Sequence, residues 1–551
     1  MQAVILAGGK GTRLAERLQG RPKPLVLVDG VPLLERQIGA LLRHGIDDIV
    51  VLVNHAADQI DEFFRLRRFD ARIRLIDDGE PRGTAGALLA CLDQLDEQFV
   101  VAYGDTLFDL DITHMLAFHR AARADVTLLL HPNDHPADSD LVELDASSRV
   151  TRFHGYPHPP GADLRNLVNA AFYVVEKAAL KPWRDFSVPS DLAKHLFPSM
   201  VEAGARIQGY ISYEYIKDLG TPSRLDKAEK HLRTGVVERA SRRQRQKAVF
   251  LDRDGTLNEL RDYVRRPEDL ALLVGAADAV RRFNNAEFRV VVVTNQPVIA
   301  RGECSVETLR EIHNRLEARL GESGGFVDGI YYCPHHPHAG YAGEVVELKR
   351  ECDCRKPGVA MLTEAMTAMN IDPAQSWMIG DSTSDILAAQ RAGVRSILVQ
   401  TGEGGRDSKW KVRPDFVCAD LAACASVIID VYPSVAQAMG ELLAAIQPGD
   451  LLVLDGEAAQ KSFLAGVLVA ELRARGRSIA YDPPDAATLT NDGVQPEAIL
   501  VVEAPVERLP AMQRTWRIDV RKRTANLVGD EAVGSFSLAL DLDAFVQGDQ
   551  E

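Results

Sequence analysis

Short apolar runs alternate along this chain with longer stretches of helical period. AVILA (3–7) is followed by PLLERQIGALLRHG (32–45), whose apolar positions recur every three or four residues, and then by DIVVLV (48–53). The same alternation returns further on: KAVFLD, FRVVVVTN, SWMIGD and RSILVQTG are separated by helical stretches between 247 and 402. It appears a third time in PSVAQAMGELLAAI, DLLVLDG, FLAGVLVAELRARG, SIAYD and ILVVEAP. Strand–helix alternation of this kind predicts parallel sheets wound on both faces, so the fold class is α/β with three doubly wound domains. The polar, basic stretch DKAEKHLRTGVVERASRRQRQ (226–246) marks a terminal helix running into a linker, with its charges on a solvated face. The expected boundaries are 1–232, a linker at 233–246, 247–430 and 431–551.

Length and composition agree with this division. At 551 residues the chain exceeds what one core supports. A net charge of −15 argues against general nucleic-acid binding but leaves room for anionic substrates held by local Arg, Lys and metal ions. No apolar run is expected to reach the ~18 residues of a membrane span, and the N-terminus lacks the layout of a signal peptide. Seven cysteines, an odd number, three of them beside histidines, point to metal in a reducing cytoplasm rather than to disulfides.

Several apolar strands end in residues that carry chemistry, and the C-terminal edge of a parallel sheet is where ligands bind. VFLDRDGT (249–256) puts Asp252 and Asp254 two positions apart at such an end. Alone, this is equally a turn or a calcium loop. With VVVTNQ, CRKPG and GDSTSD following in order, the segment resembles the haloacid dehalogenase (HAD) superfamily, and within it the heptose bisphosphate and histidinol phosphate phosphatases. The resemblance implies Asp252 as nucleophile and Asp254 as general acid/base. It implies Thr294 as holder of the transferring phosphoryl group and Lys356 as neutraliser of the aspartyl-phosphate. Asn295 and Arg355 would contact the substrate, and Mg²⁺ would sit on Asp252, the backbone carbonyl of Asp254, Asp381 and Asp385. Clustered carboxylates are the hard oxygen ligands that Mg²⁺ takes. Nearby like charge is expected to raise the pKa of Asp254. Taken alone, GDSTSD reads equally as a helix N-cap.

Cys333, His335, Cys352 and Cys354 form a C-x-H…C-x-C array, the donor set of a closed, structural zinc site. The same array marks the heptose bisphosphate phosphatases, where zinc pins a substrate-facing loop. His336 and His338 are expected to be surface or loop residues rather than ligands, and Cys91, Cys304, Cys418 and Cys424 core or incidental.

The opening LAGGKGTRL, followed by RPKPLVLVDGVPLLE, YGDTLFD and KDLGTP, resembles sugar-1-phosphate nucleotidyltransferases. Gly8, Gly9 and Gly11 let backbone approach triphosphate oxygens. Arg13 and Lys23 would clamp the phosphates. The resemblance places Glu80 and Gly83 near the base, Asp105 and Asp218 on Mg²⁺, and Asn169 at the sugar. It departs at FHGYP, where Gly155 and Tyr156 replace the Glu and Lys of the family's E-K-P segment and remove one anion-binding lysine. His154, His158 and Arg165 are candidates to substitute.

Gly456 to Lys461-Ser462 resembles a phosphate-binding loop of uridine-kinase-like proteins, but Gln460 stands where G-x4-G-K-[ST] has glycine. A kinase-like fold that has lost ATP binding is expected, serving as a remnant or interaction module, with nucleotide binding as the alternative; Arg521-Lys522-Arg523 is read as a solvated face.

Together these imply a bifunctional enzyme. It would convert heptose 1,7-bisphosphate to the 1-phosphate and transfer a nucleotidyl group, guanylyl by likeness to heptose guanylyltransferases, from nucleoside triphosphate. Its partners would be a phosphorylated sugar and GTP, with no nucleic acid and no membrane, in the cytoplasm. The alternative is a phosphatase for histidinol phosphate or another small phosphomonoester, flanked by non-catalytic nucleotide-binding or assembly modules.

Overall fold

The computed structural model describes residues 1–447 apart from Lys10, His55, Asp78 and Glu80, and beyond them 450–455, 458–477, 479–481, 499–502, 515–519, 524–528 and 535–537. Glu80, Gly456 and Arg521–Arg523 therefore lie outside the described residues. The chain divides into two compact units, Met1–Gln246 with Leu309–Asp328, and Lys247–Thr308 with Gly329–Glu551.

Unit 1 is built on a nine-stranded mixed sheet. Its centre is strand Gln2–Leu6, paired in parallel with Asp48–Val53 on one side and Gln98–Tyr103 on the other. Beyond Gln98–Tyr103 the sheet turns antiparallel at Val168–Glu176. Val4, Ile5, Val50, Val51, Val100 and Val101 are fully buried, as strands covered on both faces require. A two-stranded ribbon joins Thr106–Asp109 to Tyr215–Asp218 and sets Asp218 opposite Thr106. The stretch after Arg233 is not extended: Val236–Arg239 forms a further helical turn with Val237 buried.

Unit 2 carries a six-stranded, all-parallel sheet in the order Gly329–Cys333, Arg289–Asn295, Ala248–Leu251, Trp377–Gly380, Arg395–Val399, Phe416–Cys418. Val290 to Val293 show no exposure; each such side chain contributes about 1.5–3 kcal/mol on burial. The strand order reverses between Ala248–Leu251 and Trp377–Gly380, the switch point at which such sheets bind ligands. A second sheet has four parallel strands, Ile479–Tyr481, Ile499–Val502, Leu451–Asp455 and Thr515–Asp519, and two antiparallel ones, Thr524–Val528 and Ser535–Ser537. Strand Leu451–Asp455 leads to helix Ala458–Ala474, which carries Lys461 and Ser462 in its first turns.

Among the described residues the helical run Leu421–Ala438 is long and apolar enough, by length and composition alone, to cross a membrane, with mean hydropathy 1.4 and 39% of it buried, a test that a core helix also passes. Ser426, Asp430 and Pro433 interrupt its apolar pattern. Arg282 meets Ser426 Oγ at 3.1 Å and Asp430 Oδ2 at 2.6 Å, and the Tyr432 ring packs edge-on against Trp377.

Candidate functional site

In unit 2, adjacent parallel strands deliver the carboxylates. Asp252 follows Ala248–Leu251, Asp381 follows Trp377–Gly380, and Thr294 and Asn295 end Arg289–Asn295. Ligand oxygens of Asp252, Asp381 and Asp385 lie within 4.8 Å of one another. Lys356 Nζ, almost fully buried, stands 2.7 Å from Asp252 Oδ1 and 2.6 Å from Asp385 Oδ1 and donates to the Val293 carbonyl at 2.7 Å. Asn295 fixes the lysine's backbone: its Oδ1 accepts from Lys356 N at 2.9 Å and its Nδ2 donates to Lys356 O at 3.2 Å. Asp385 closes a capping box with Ser382, its Oδ2 accepting from Ser382 N and Oγ, while Oδ1 faces Lys356. Gly255, at φ +86°, is required here: a Cβ on it would lie 2.1 Å from Asp381 Oδ2.

Charge is crowded in this cluster. Burial, with Lys356 opposing and Asp385 reinforcing, pushes Asp252 up to about 7. Burial and then the Asp252 and Asp385 charges push Asp381 up to about 8. Burial by itself would lower Lys356, but the two carboxylates outweigh it and hold the ammonium above its usual range. Three buried carboxylates against one fixed cation are short of positive charge, the condition a bound divalent ion relieves. The donor set therefore fits Mg²⁺.

The pKa of Asp254 is a correction. Its carboxylate faces Arg253, whose guanidinium is fully buried and lies 2.8 Å from Oδ2 and 3.0 Å from Oδ1. Asn258 Nδ2 donates to Oδ1 at 3.0 Å and Gln296 Nε2 to Oδ2 at 2.8 Å. Burial would raise its pKa, but Arg253 and these hydrogen bonds outweigh burial and lower it, contrary to the rise expected from like charge. Gln296 also donates to Thr294 Oγ1 at 2.8 Å, tying the two strand ends together. Sequence reasoning missed Arg253, Asn258 and Gln296. The available signal was an arginine set between two strand-end aspartates, a position no surface arginine needs.

The Cys333, His335, Cys352 and Cys354 donor atoms converge within 4.8 Å. Sulfur separations are 3.5 Å for Cys333–Cys352 and 3.2 Å from Cys354 to each of the other two, while His335 Nδ1 is 3.2 Å from Cys354 Sγ. A tetrahedral ion with bonds of about 2.3 Å needs edges near 3.8 Å, so the set fits zinc after a slight expansion. None of the seven cysteines forms a disulfide, and Cys91, Cys304, Cys418 and Cys424 are buried. Arg355 Nη1 donates to the His335 carbonyl at 3.3 Å, linking the array to the residue before Lys356. His336 is not at the surface: it is buried, its ring edge-on to Tyr341 and 3.4 Å from Arg301 Nη2.

Unit 1 has its own centre at the corresponding sheet edge. A cavity of about 340 Å³ is lined by Gly8 and Gly9 after the first strand, Asn54 after the second, Asp105 after Gln98–Tyr103, and Lys23, Gly83 and Thr84. Lys23 Nζ is 2.5 Å from Asp105 Oδ2. Gly83, at φ +72°, cannot be replaced without collision, since its Cβ would meet the Ser190 carbonyl at 2.3 Å. Gly11, Arg13, Asn169 and Asp218 do not line this cavity. Asp218 is nonetheless a neighbour of Asp105, because Leu219 N donates to Asp105 O at 2.8 Å; its Oδ1 is held by Arg224 at 2.6 Å. Arg13 stands beside the Asp218–Gly220 turn. Asn169 Nδ2 donates to Tyr173 Oη at 3.0 Å, and its buried Oδ1 has no partner. Tyr156 is half exposed; its backbone N–H donates to Asp140 Oδ1 at 2.9 Å and its ring stands edge-on to His158. Asn54, Thr84 and Tyr103 went unnoticed in the sequence because polar residues next to strand ends are common.

A carboxylate-and-lysine cluster at the switch point of a parallel sheet, and a glycine-lined cavity at the edge of a second, define a phosphoryl-handling enzyme with two centres. Residues 353–424 match the family model described as HAD-hydrolase-like, and residues 2–235 that of the nucleotidyl transferases. The D-glycero-beta-D-manno-heptose-1,7-bisphosphate 7-phosphatase of Haemophilus ducreyi is 44% identical over 159 residues, 28% of this chain and 85% of the relative. Among solved structures, D,D-heptose 1.7-bisphosphate phosphatase from B. bronchiseptica complexed with magnesium and phosphate is 36% identical over 33% of this chain and 97% of that one, with TM-score 0.29. HddC from Yersinia pseudotuberculosis complexed with GMP-PN is 24% identical over 42% and 99%, with TM-score 0.37. The chain belongs to the heptose-bisphosphate phosphatase family of HAD-like hydrolases, and it is an enzyme in which that phosphatase is fused to an N-terminal nucleotidyltransferase domain.

Proposed function

We propose that unit 2 removes the 7-phosphate of D-glycero-D-manno-heptose 1,7-bisphosphate and that unit 1 transfers a nucleotidyl group to the resulting heptose 1-phosphate. The observation that carries this is the convergence of Asp252, Asp381 and Asp385 around Lys356 at the switch point. Asp252 attacks phosphorus, the bond to the sugar oxygen breaks, and an aspartyl-phosphate forms; water then attacks that phosphorus and frees Asp252. Lys356 balances the charge that gathers on the transferring group. Asp254, ionised through Arg253, is set as the base that takes a proton from the attacking water. The dianionic phosphate of the substrate, brought beside it, raises its proton affinity for the earlier step, in which it protonates the leaving sugar oxygen. Mg²⁺, bound by Asp252, Asp381 and Asp385, would supply electrostatic stabilisation of the phosphoryl oxygens. Thr294, Asn295 and Arg355 complete the phosphate and substrate contacts.

In unit 1, Gly8, Gly9 and Gly83 admit the nucleotide, with Gly11 and Arg13 flanking the loop. Lys23 neutralises the departing pyrophosphate, and Asp105 and Asp218 hold Mg²⁺. The acceptor's 1-phosphate oxygen attacks the α-phosphorus of the nucleoside triphosphate, and pyrophosphate leaves; positioning and charge neutralisation suffice. GTP is the nucleotide of this proposal, by the likeness to heptose guanylyltransferases. The 431–551 segment is read as a kinase-like module without ATP binding, and the site of action is the cytoplasm.

The deciding experiment supplies purified protein with both anomers of the bisphosphate and with histidinol phosphate. Phosphate should appear from a heptose bisphosphate and not at a comparable rate from histidinol phosphate. Pyrophosphate should then follow on adding GTP but not CTP, UTP or ATP. Absence of phosphate release from either anomer overturns the assignment.

Zinc on Cys333, His335, Cys352 and Cys354 would be structural, since four protein donors leave no open position. Metal analysis is expected to return about one zinc per chain. A fully active phosphatase containing none would remove the site.

A further inference from the structure

Unit 1 takes in one stretch from far along the chain, Leu309–Asp328. It carries most of helix Val306–Gly321, on which Leu309, Ile312, Leu316 and Leu320 are buried together with a carboxylate, Glu317. A buried carboxylate persists where its oxygens find donors or a counter-charge. Glu317 Oε2 accepts from the backbone N–H of Asn166 at 2.6 Å. Burial raises its pKa while the Arg165 charge and this hydrogen bond hold it back. On the same helix Arg315 and Arg319 reach Asp163 at 2.9 and 3.4 Å. One helix thus grips 163–166, the stretch between the altered FHGYP segment and the strand that carries Asn169.

The grip is passed on within unit 1. Asn166 is buried and pairs doubly with the backbone of Asn133: Nδ2 donates to Asn133 O at 2.8 Å and Oδ1 accepts from Asn133 N at 3.2 Å. Asn133 Oδ1 accepts from His135 N at 3.0 Å, and the His135 ring meets Asp138 Oδ1 at 2.9 Å. Asp138 Oδ2 holds Arg224 at 3.2 Å, and the other terminal nitrogen of Arg224 holds Asp218 Oδ1 at 2.6 Å. A continuous polar path therefore runs from Glu317 to the carboxylate assigned to the transferase metal.

We propose that Glu317 is a positioning residue for nucleotidyl transfer: it seats the 163–169 stretch, and through Asn133 the 133–140 loop, so that the acceptor sugar 1-phosphate is held against Asp218 and Asn169. This rests on reading unit 1 as a sugar-1-phosphate nucleotidyltransferase. A helix contributed from residues 309–328 takes over the ordering of an acceptor loop that has lost its anion-binding lysine at Tyr156.

The test uses the full-length chain. In Glu317→Ala the KM for the sugar 1-phosphate should rise about five- to tenfold, the size of one lost hydrogen bond. The KM for the nucleoside triphosphate, and phosphate release by unit 2, should stay within about twofold. Hydrogen exchange at the Asn166 amide should quicken. Glu317→Gln should restore the acceptor KM, because its amide oxygen accepts from the same N–H. Should Glu317→Ala fail to accumulate, Asp163→Asn, which releases Arg315 and Arg319 from the same stretch, carries the same expectation. Unchanged acceptor KM in an active protein overturns the inference alone, as does a parallel loss of acceptor binding, nucleotide binding and phosphate release. A wild-type chain that transfers nucleotide to no sugar 1-phosphate overturns the transferase reading, and this inference falls with it.

Discussion

Asp252→Asn is expected to abolish phosphate release, by about a thousandfold or more, and to leave nucleotidyl transfer intact. A group that forms a covalent bond to phosphorus has no substitute in an amide of the same shape, and removal of a nucleophile costs losses of this order. The substitution also takes one negative charge from a buried cluster. Asp252 is held near 7 where an unfolded aspartate lies near 4, so in metal-free protein the folded state binds the proton more tightly. Stability contributed by that proton is lost as pH rises from about 4 through about 7. The asparagine variant carries no such penalty, and its melting temperature in chelator at pH 8 should equal or exceed that of the wild type. Steady-state phosphate release, pyrophosphate release and thermal melting on one preparation check all three. Loss of both activities at equal stability would contradict independent centres.

The second large effect falls on Lys356. Lys356→Met keeps most of the side chain's volume and removes the fixed cation shared by Asp252 and Asp385. Breaking a buried ion pair from one side costs about 3–5 kcal/mol because the partner charges stay buried. The expected result is a lower urea midpoint in chelator and a fall in phosphate release of about 10²–10³-fold. The deficit has a defined pH dependence. Asp252 and Asp381 are raised to about 7 and about 8, so below about pH 5 both are protonated and the lysine faces only the Asp385 carboxylate. The stability gap should therefore narrow toward acid and widen above neutrality. Added Mg²⁺ should recover part of the stability by binding the three carboxylates without recovering the rate. Equal urea midpoints at pH 8 would show that the lysine does not carry this charge balance.

Much of this was legible before any coordinates. The alternation of apolar runs with helical periods announces parallel α/β sheets, because a strand buried on both faces must be apolar throughout and its crossover needs an amphipathic helix. Asp252, Asp381 and Thr294 stand at the ends of such runs, so a local pattern was enough to place them on one edge. The C-x-H…C-x-C spacing announced the cysteine cluster for the same reason, each pair being local. GDSTSD shows the limit of local reading: an N-cap and a ligand looked like alternatives, and the Asp385 carboxylate closes the capping box with one oxygen while the other faces Lys356 in the carboxylate cluster.

What the linear order determined, then, is the set of elements and the residues delivered to each sheet edge, since strand and helix periodicity are properties of neighbouring residues. Tertiary structure decided which way the pKa of Asp254 moves, because burial of Arg253 and the approach of Gln296 from the neighbouring strand end bring donors to its carboxylate. It alone decided that His336 is interior and that Glu317 serves a loop 151 positions earlier. Charge and burial depend on distance through space, and two residues far apart in the chain carry no local mark of the partner that will fix their state.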